Sequence, residues 1–129
     1  MDIQRISDEL EITALLYRYA RAVDTKDWSL YRSVFTDDAT IDYTSAGAIA
    51  GTRDEVADWL ANAFTAIPMS MHYITNIEIE VDGDTATVHA MFYNPMQLPS
   101  MTRPSYFGGL YHHELVRTAS GWRSRELRE

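Results

Sequence analysis

Two residues far apart in the sequence, Asp24 and His72, have the types needed for proton transfer near neutral pH. Asp24 follows the apolar pattern of the first predicted helix and lies at its C-terminal end, where the helix dipole disfavours negative charge. His72 opens a predicted strand in the segment SMHYITN. A histidine that shuttles protons needs one ring nitrogen free and the other held, and a carboxylate suits the second task. We therefore predict that Asp24 and His72 meet.

Both residues, and two tyrosines, also have a purely structural interpretation. Asp24 can cap the turn that follows the helix, and an inward histidine is more often a hydrogen-bonded core residue than a catalyst. Tyr19 on the helix and Tyr43 at the end of a short strand can donate to a carbonyl or enolate oxygen. Each tyrosine equally suits core packing with a satisfied hydroxyl. Both interpretations stay open at the level of sequence.

The remaining histidines and glycines give weaker signals. His112 and His113 are adjacent on a predicted strand and face opposite sides, and His89 has the phase of an outer face. There is no cysteine, HxH, HExxH, P-loop or GxGxxG motif. Gly108 and Gly109 indicate a strand interior where another group approaches closely. We expect no metal ion and no organic cofactor.

Composition disfavours several classes of partner. The 129 residues suit a single domain over 1–129. Eleven Lys and Arg against nineteen Asp and Glu give a net charge of −8, which disfavours nucleic acid and anionic lipid. The start MDIQRISDELEI does not have the pattern of a signal peptide, and no apolar run reaches the roughly 20 residues that span a bilayer. We expect a cytoplasmic protein with neither nucleic-acid nor membrane partners.

Three helices precede a run of strands. A helix over residues 2–24, beginning near Asp2 or at Ser7-Asp8, has a predicted apolar stripe, and a second set of apolar residues widens it. The stripe is Ile3, Ile6, Leu10, Thr13, Tyr17 and Ala20, and the widening set is Ile12, Leu15, Leu16, Tyr19 and Val23. A short helix follows a cap at Asp27 or Ser29, and a third spans 53–66.

Strands are predicted at 39–43, 70–81, 85–94, 106–118 and 122–128, with a turn at 82–84 and a loop at 95–105. The apolar phase shifts near Thr75 and Asn76, which predicts a bulge. Helices followed by antiparallel strands indicate an α+β fold with the helices on one sheet face. A sheet curled around the long helix would enclose an apolar cavity. Trp59 and Phe92 are predicted wall residues, with plain core packing as the simpler interpretation.

The segments LLYRYARAVDTKDW, ATIDY, SMHYITNIEIEVDGDTATV and GWRSRE resemble the SnoaL-like branch of the nuclear-transport-factor-2-like superfamily. Within it, nearly the whole chain is similar to scytalone dehydratases and bile acid 7α-dehydratases. The resemblance implies a cone-shaped, cystatin-like α+β barrel in which a curved mixed sheet wraps around a long N-terminal helix. It also implies a homodimer or higher homo-oligomer formed through the sheet.

The resemblance assigns catalytic roles to four positions. VDTKDW matches the aspartate turn of the dehydratases at Asp24, and MSMHYI matches their histidine at His72. Tyr43 matches a carbonyl-activating tyrosine of scytalone dehydratase, and Tyr19 matches a helix tyrosine of bile acid dehydratase and ketosteroid isomerase. Ketosteroid isomerase has a carboxylate base where this chain has Tyr43, so the resemblance favours loss of water over allylic proton transfer.

The resemblance also implies substrate contacts. Asn94 lies near the position where bile acid dehydratase has an acidic residue. Since Asn94 is an amide, the resemblance implies that its role is reduced to hydrogen bonding. Gly109 and Tyr111 lie near polar pocket residues of scytalone dehydratase, and neither residue type is kept. Because the sequence given stops at Glu129, we expect no counterpart of the C-terminal segment that closes the scytalone dehydratase pocket.

These observations predict a cofactor-independent dehydratase, a lyase that removes water from a hydrophobic hydroxy-carbonyl substrate by His/Asp acid–base catalysis. An isomerase of the ketosteroid isomerase type or a polyketide cyclase is the second possibility. A non-catalytic binding or structural subunit, like the small subunits of ring-hydroxylating dioxygenases, is the third. The predicted partner is a hydrophobic small molecule for the first two possibilities and a larger subunit for the third.

Overall fold

A computed structural model describes residues 2–129. The helices are α1 (Ile3–Asp24), α2 (Trp28–Ser33) and α3 (Arg53–Ala63), and short 3₁₀ turns occupy Thr44–Ala46 and Phe64–Ala66. The strands are β1 (Phe35–Asp42), β2 (Ala50–Thr52), β3 (Met69–Ser70), β4 (Tyr73–Asp82), β5 (Thr85–Gln97), β6 (Ser105–Thr118) and β7 (Gly121–Arg128). Within 2–129, no helix is both long and apolar enough to span a lipid bilayer.

Side-chain caps fix where the helices begin. The Asp2 carboxylate accepts from the Arg5 backbone N–H at 2.7 Å, so α1 takes the earlier of its two predicted starts. Asp27 caps α2 through the Leu30 N–H at 3.0 Å. A capping box at the start of α3 satisfies the backbone N–H group at each end of the box. Because these hydrogen bonds join residues close together in the chain, the helix starts can be predicted from the sequence.

The seven strands form one mixed sheet in the order β2-β1-β7-β6-β5-β3, with β4 also paired to β5. The pair β1 and β7 is parallel, and the other pairs are antiparallel. The sheet curves around α1, and α3 packs against β1 and β2. The expected cone-shaped α+β fold, with a curved mixed sheet around a long N-terminal helix, is confirmed.

Most of the predicted apolar stripe of α1 is wrong, whereas Ala20 and the whole predicted widening set, Ile12, Leu15, Leu16, Tyr19 and Val23, are buried. Ile3 is 85% exposed and Tyr17 is 55% exposed, and Ile6 and Leu10 also face outward. The buried face consists of Asp8, Ile12, Leu15, Leu16, Tyr19, Ala20, Ala22 and Val23. Large apolar side chains occur on both faces, so the sequence did not separate the inner face from the outer one. Polar partners on the sheet add to the packing of the inner face.

Asp8 shows how such partners orient α1. Its carboxylate accepts from both terminal nitrogens of Arg117, at 2.8 and 3.1 Å, and from Trp122 Nε1 at 3.1 Å. The Arg117 guanidinium lies 4.5 Å above the Trp122 ring. Mainly through the Arg117 hydrogen bonds, the pKa of Asp8 falls to about 2. This network fastens the N-terminal half of α1 to the β6–β7 hairpin.

The strand β2 (Ala50–Thr52) was not predicted, and the other strands differ most from their predicted bounds at three places. β1 begins at Phe35 instead of residue 39. β5 runs through Pro95 to Gln97, because Pro95 contributes its carbonyl, which accepts from the Met71 N–H at 3.1 Å. The predicted strand 70–81 is two strands, β3 and β4, separated at residues 71–72. The predicted bulge is present as a register shift between Thr75 and Glu78, with Asn76 at φ 51°.

His113 makes stability depend on pH. It is 1% exposed, its Nδ1 donates to Ser124 Oγ at 2.9 Å, and its Nε2 has no partner within 2–129. Burial lowers the pKa of His113 from 6.5 to about 3. Between these two values the unfolded chain binds more protons than the folded one, so the free energy of unfolding falls as pH decreases through this window.

We expect the wild-type protein to lose about 2–3 kcal/mol of unfolding free energy through His113 between pH 7 and pH 4. Urea unfolding at the two pH values measures the loss. His113→Asn is the control, because it keeps a donor for Ser124 and does not titrate. Equal losses in the two proteins would show that His113 is not the titrating group.

Candidate active site

The sheet, α1 and α3 enclose an apolar cavity of about 800 Å³. The predicted site residues that line it are Tyr19, Tyr43, Trp59, His72, Phe92, Asn94 and Tyr111. Asp24 does not line the cavity and lies behind His72. A separate concavity of about 480 Å³, between Arg5 and the β4–β5 hairpin, contains none of these residues. The structure therefore gathers the predicted residues around one apolar space, which suits a small-molecule ligand.

Asp24 and His72 are in direct contact. Asp24 Oδ1 lies 2.6 Å from His72 Nδ1, and Oδ2 accepts from the His72 backbone N–H at 2.7 Å. Ser70 Oγ donates to Oδ1 at 2.8 Å. A carboxylate accepts hydrogen bonds, so Nδ1 carries the ring proton in neutral His72. Nε2 is then the unprotonated nitrogen, available to the cavity that His72 lines.

The interruption between β3 and β4 makes this contact possible. In a continuous strand the His72 N–H would be a candidate for the ladder with β5. Instead, residues 71–72 leave the strand, and the His72 N–H donates to Asp24 at the end of α1. Met71 N–H keeps the segment near β5 through Asn94 Oδ1 at 3.1 Å and Pro95 O at 3.1 Å. The break in the strand therefore positions His72.

Three buried tyrosines form a hydrogen-bonded chain beside the cavity. The Tyr43 hydroxyl lies 2.6 Å from that of Tyr19 and 2.9 Å from that of Tyr31. Three phenol protons serve two such bonds, so one remains to donate elsewhere. Tyr19 and Tyr43 line the cavity and Tyr31 does not, so the first two can present this proton to a ligand. Tyr31, on α2, is not among the site residues predicted from the sequence.

Burial keeps these phenols protonated. It raises the pKa of Tyr19, Tyr31 and Tyr43 well above the usual value, since the charged form loses its hydration. The pKa of Tyr111 is raised for the same reason. These groups are neutral hydrogen-bond donors at any physiological pH. They therefore suit stabilisation of a developing negative charge on a ligand oxygen.

The predicted contact residues form the wall. Phe92 stacks on Tyr111 with ring centroids 4.4 Å apart, and Tyr111 meets Tyr19 edge-on at 5.5 Å. Asn94 is buried, and its Oδ1 accepts from Met71 N–H, which leaves the Nδ2 group to donate. Trp59 is half-exposed on α3. These four residues thus contribute three aromatic rings and one amide to a wall that also contains aliphatic side chains.

Glu129 is a cavity residue that sequence reasoning missed. Its side chain follows the inward phase of Leu127, which is fully buried. Burial raises the pKa of the Glu129 carboxyl, and His72 partly opposes this rise. Extending the β7 alternation by two residues would have identified it.

The other histidines lie away from the cavity. His113 is buried and His89 is exposed, and the rings of His89 and His112 lie 4.6 Å apart on the outer face. His112 Nε2 lies 2.9 Å from Glu114 Oε1. Among residues 2–129, no group of three or more His, Asp or Glu side chains is arranged to hold a metal ion.

Gly109 leaves room for the Phe92 ring. A Cβ added at Gly109 would lie 2.9 Å from Phe92 Cε1, too close for an unmoved ring. We expect Gly109→Ala to displace Phe92 and to weaken binding of N-phenyl-1-naphthylamine, an apolar fluorescent probe, roughly tenfold. Gly108→Ala is the control, because its nearest contact is Phe92 O at 3.4 Å. Equal probe affinities in a fluorescence titration of the two variants would contradict this.

Comparison with known sequences supports a family assignment. The model of the SnoaL-like domain matches residues 4–128. The uncharacterized protein Rv2910c of Mycobacterium tuberculosis is 37% identical over 124 residues, which cover 95% of this chain and 84% of that protein.

Solved structures share the fold. A Novosphingobium aromaticivorans protein provisionally named an aromatic ring hydroxylase has a TM-score of 0.88 and 30% identity, covering 95% of this chain and 87% of its own. A protein of the same species provisionally named a scytalone dehydratase has a TM-score of 0.88 and 18% identity, covering 99% and 86%. The hexachlorocyclohexane dehydrochlorinase LinA type 2 has a TM-score of 0.87 and 22% identity, covering 99% and 87%. From the match over nearly its full length, the chain belongs to the SnoaL-like domain family.

Proposed function

We propose that this protein is a cofactor-independent dehydratase that removes water from a hydrophobic β-hydroxy ketone. The observation that carries the proposal is the 2.6 Å contact between Asp24 Oδ1 and His72 Nδ1, with the other ring nitrogen available to an apolar cavity. A neutral imidazole held in one tautomer is suited to take a proton from carbon and to return it to oxygen.

The reaction proceeds as a proton shuttle. His72 Nε2 takes a proton from the carbon next to the carbonyl, and the electrons of that C–H bond form an enolate. The enolate expels the hydroxyl group from the neighbouring carbon as the C=C bond forms. The imidazolium returns its proton to the departing oxygen, and water leaves. Asp24 holds the ring and stabilises the imidazolium.

Tyr19 and Tyr43 supply the electrophilic side of the reaction. Their chain has one phenol proton to spare, and the raised pKa of both groups keeps them neutral. A donor aimed at the carbonyl oxygen stabilises the enolate more than the ketone, since negative charge develops there. Asn94 Nδ2 is a further donor on the same cavity wall.

The structural neighbours support elimination without fixing the substrate. One is provisionally named a dehydratase and another is a dehydrochlorinase, both names of eliminations. The neighbour provisionally named an aromatic ring hydroxylase has a name that is not an elimination, and a binding or structural subunit without its own turnover is kept as the second candidate. An isomerase of the ketosteroid isomerase type would need a base where this chain has Tyr43.

The test uses 3-hydroxy-1-tetralone, a bicyclic β-hydroxy ketone that loses water to give fluorescent 1-naphthol. We expect the protein to accelerate formation of 1-naphthol. Quenching of tryptophan fluorescence, with Trp59 on the cavity wall, reports binding independently. Binding without acceleration would contradict the dehydratase and favour the subunit.

We also propose that the chain forms a homodimer or higher homo-oligomer through its sheet. Tyr73, Tyr93 and Tyr106 stack side by side, with centroids 6.4 and 6.2 Å apart, and are 47–64% exposed. An aromatic ladder of this kind is typical of a covered surface. Light scattering coupled to size-exclusion chromatography measures the mass, and a monomer at micromolar concentration would contradict this part of the proposal.

A further inference from the structure

We propose that Glu129 makes the cavity discriminate against anionic ligands, so that the substrate is an uncharged molecule. This inference rests on the proposed function, because it takes the same cavity as the substrate site. The residue determines specificity and has no part in the proton shuttle described above.

The backbone holds Glu129 at the edge of the cavity. Its N–H donates to Asp42 O at 3.0 Å, and Ser45 Oγ donates to Glu129 O at 2.9 Å. Leu127, two residues earlier, is fully buried, and Glu129 lies on the same side of the strand direction. Its side chain lines the cavity together with Tyr43 and His72.

The cavity has a negative charge with no basic side chain to offset it. Within 2–129, neither lysine nor arginine lines this space. Lys26 Nζ donates to the carbonyl oxygen of Ile67, a wall residue, and does not itself line the cavity. The Glu129 carboxylate has no hydrogen-bond partner in this described part of the chain, and Asp24 adds a second carboxylate behind His72.

Within 2–129, an anionic ligand in this space meets repulsion that no lysine or arginine of the cavity wall compensates. At an effective dielectric constant of about 20, two like charges about 10 Å apart change affinity roughly tenfold. A neutral hydroxy ketone experiences no such penalty, and its carbonyl and hydroxyl oxygens meet Tyr19, Tyr43 and Asn94. Discrimination against charged competitors by an unpaired like charge is a common means of specificity. We expect hydroxy acids and phosphate or sulfate esters to bind correspondingly more weakly than neutral hydroxy ketones.

A matched pair of probes tests the inference without needing the substrate. N-phenyl-1-naphthylamine is neutral, and 8-anilinonaphthalene-1-sulfonate has the same ring system with a negative charge. We expect Glu129→Gln to strengthen binding of the sulfonate roughly tenfold and to leave binding of the neutral probe within twofold. Fluorescence titration, with 1-naphthol as competitor, measures both at the cavity.

Glu126→Gln is the matched control, because it removes the same charge from β7, three residues earlier, at a partly exposed position. Thermal unfolding of both variants verifies that they fold. Glu129→Ala gives a second measure of the ratio of the affinities for the charged and the neutral probe. An unchanged ratio in folded Glu129→Gln, or the same change in Glu126→Gln, would overturn the inference. The two probes do not react. A shifted ratio of their affinities without any dehydration of 3-hydroxy-1-tetralone would therefore support discrimination by Glu129 and contradict the dehydratase.

Discussion

Replacing His72 by glutamine is expected to lower kcat for conversion of 3-hydroxy-1-tetralone to 1-naphthol by about 10²–10⁴-fold. Glutamine is close to histidine in size and polar, but it cannot take a proton from carbon. His72 is held by Asp24 through Nδ1, so the loss falls on Nε2 and therefore on the chemical step. Product fluorescence under saturating substrate measures the change.

His89→Gln is the matched control, because His89 is an exposed histidine on the outer face of the sheet. We expect its kcat to stay within twofold of wild type. Binding of N-phenyl-1-naphthylamine by the His72 variant should also change little, because the cavity wall is otherwise intact. A His72 variant that retains wild-type kcat would remove this residue from the mechanism.

Replacing Asp24 by asparagine is expected to lower kcat by about 10³-fold or more while changing KM little. Asparagine keeps the shape but loses the charge that stabilises the imidazolium. Its amide also donates, so the neutral ring can turn to the tautomer with the proton on Nε2. That tautomer cannot act as a base toward the substrate. Steady-state kinetics separates kcat from KM.

Ser70→Ala gives a graded comparison. Ser70 supplies one of three hydrogen bonds to Asp24, and its removal leaves both contacts with His72 in place. We expect less than about a tenfold loss of kcat, because the charge of Asp24 and its hold on the His72 ring are unchanged. Equal losses in the Asp24 and Ser70 variants would mean that packing around the carboxylate matters and its charge does not.

Features of this molecule that depend on local signals could be predicted from the sequence. Helix starts follow from caps such as Asp2 and Asp27, which act through neighbours three residues away. The bulge near Asn76 left a phase shift in the apolar pattern. Asp24 and His72 were expected to meet because a negative charge is unfavourable at the end of the helix and a histidine that shuttles protons needs a carboxylate, and the structure brings them to 2.6 Å. Their catalytic role stays a prediction.

Features that depend on contacts between residues far apart in the chain could not be predicted from the sequence. Asp8 contacts Arg117 and Trp122, more than 100 residues away in the chain, and apolar periodicity alone could not show that the widening set of α1, and not most of its predicted stripe, forms the inner face. Tyr31 joined the tyrosine chain only through the position of Tyr43. The break between β3 and β4 depends on Asp24 accepting the His72 N–H, which no local pattern encodes.

A crystal structure with 1-naphthol bound tests the central claim most directly. We expect the naphthol oxygen within about 3.2 Å of the Tyr19 or Tyr43 hydroxyl, with His72 Nε2 facing the adjacent ring carbons. In that arrangement one side of the ligand meets the donors and the other meets the base. A naphthol oxygen turned away from both tyrosines, or a His72 Nε2 occupied by a protein hydrogen bond, would contradict the account.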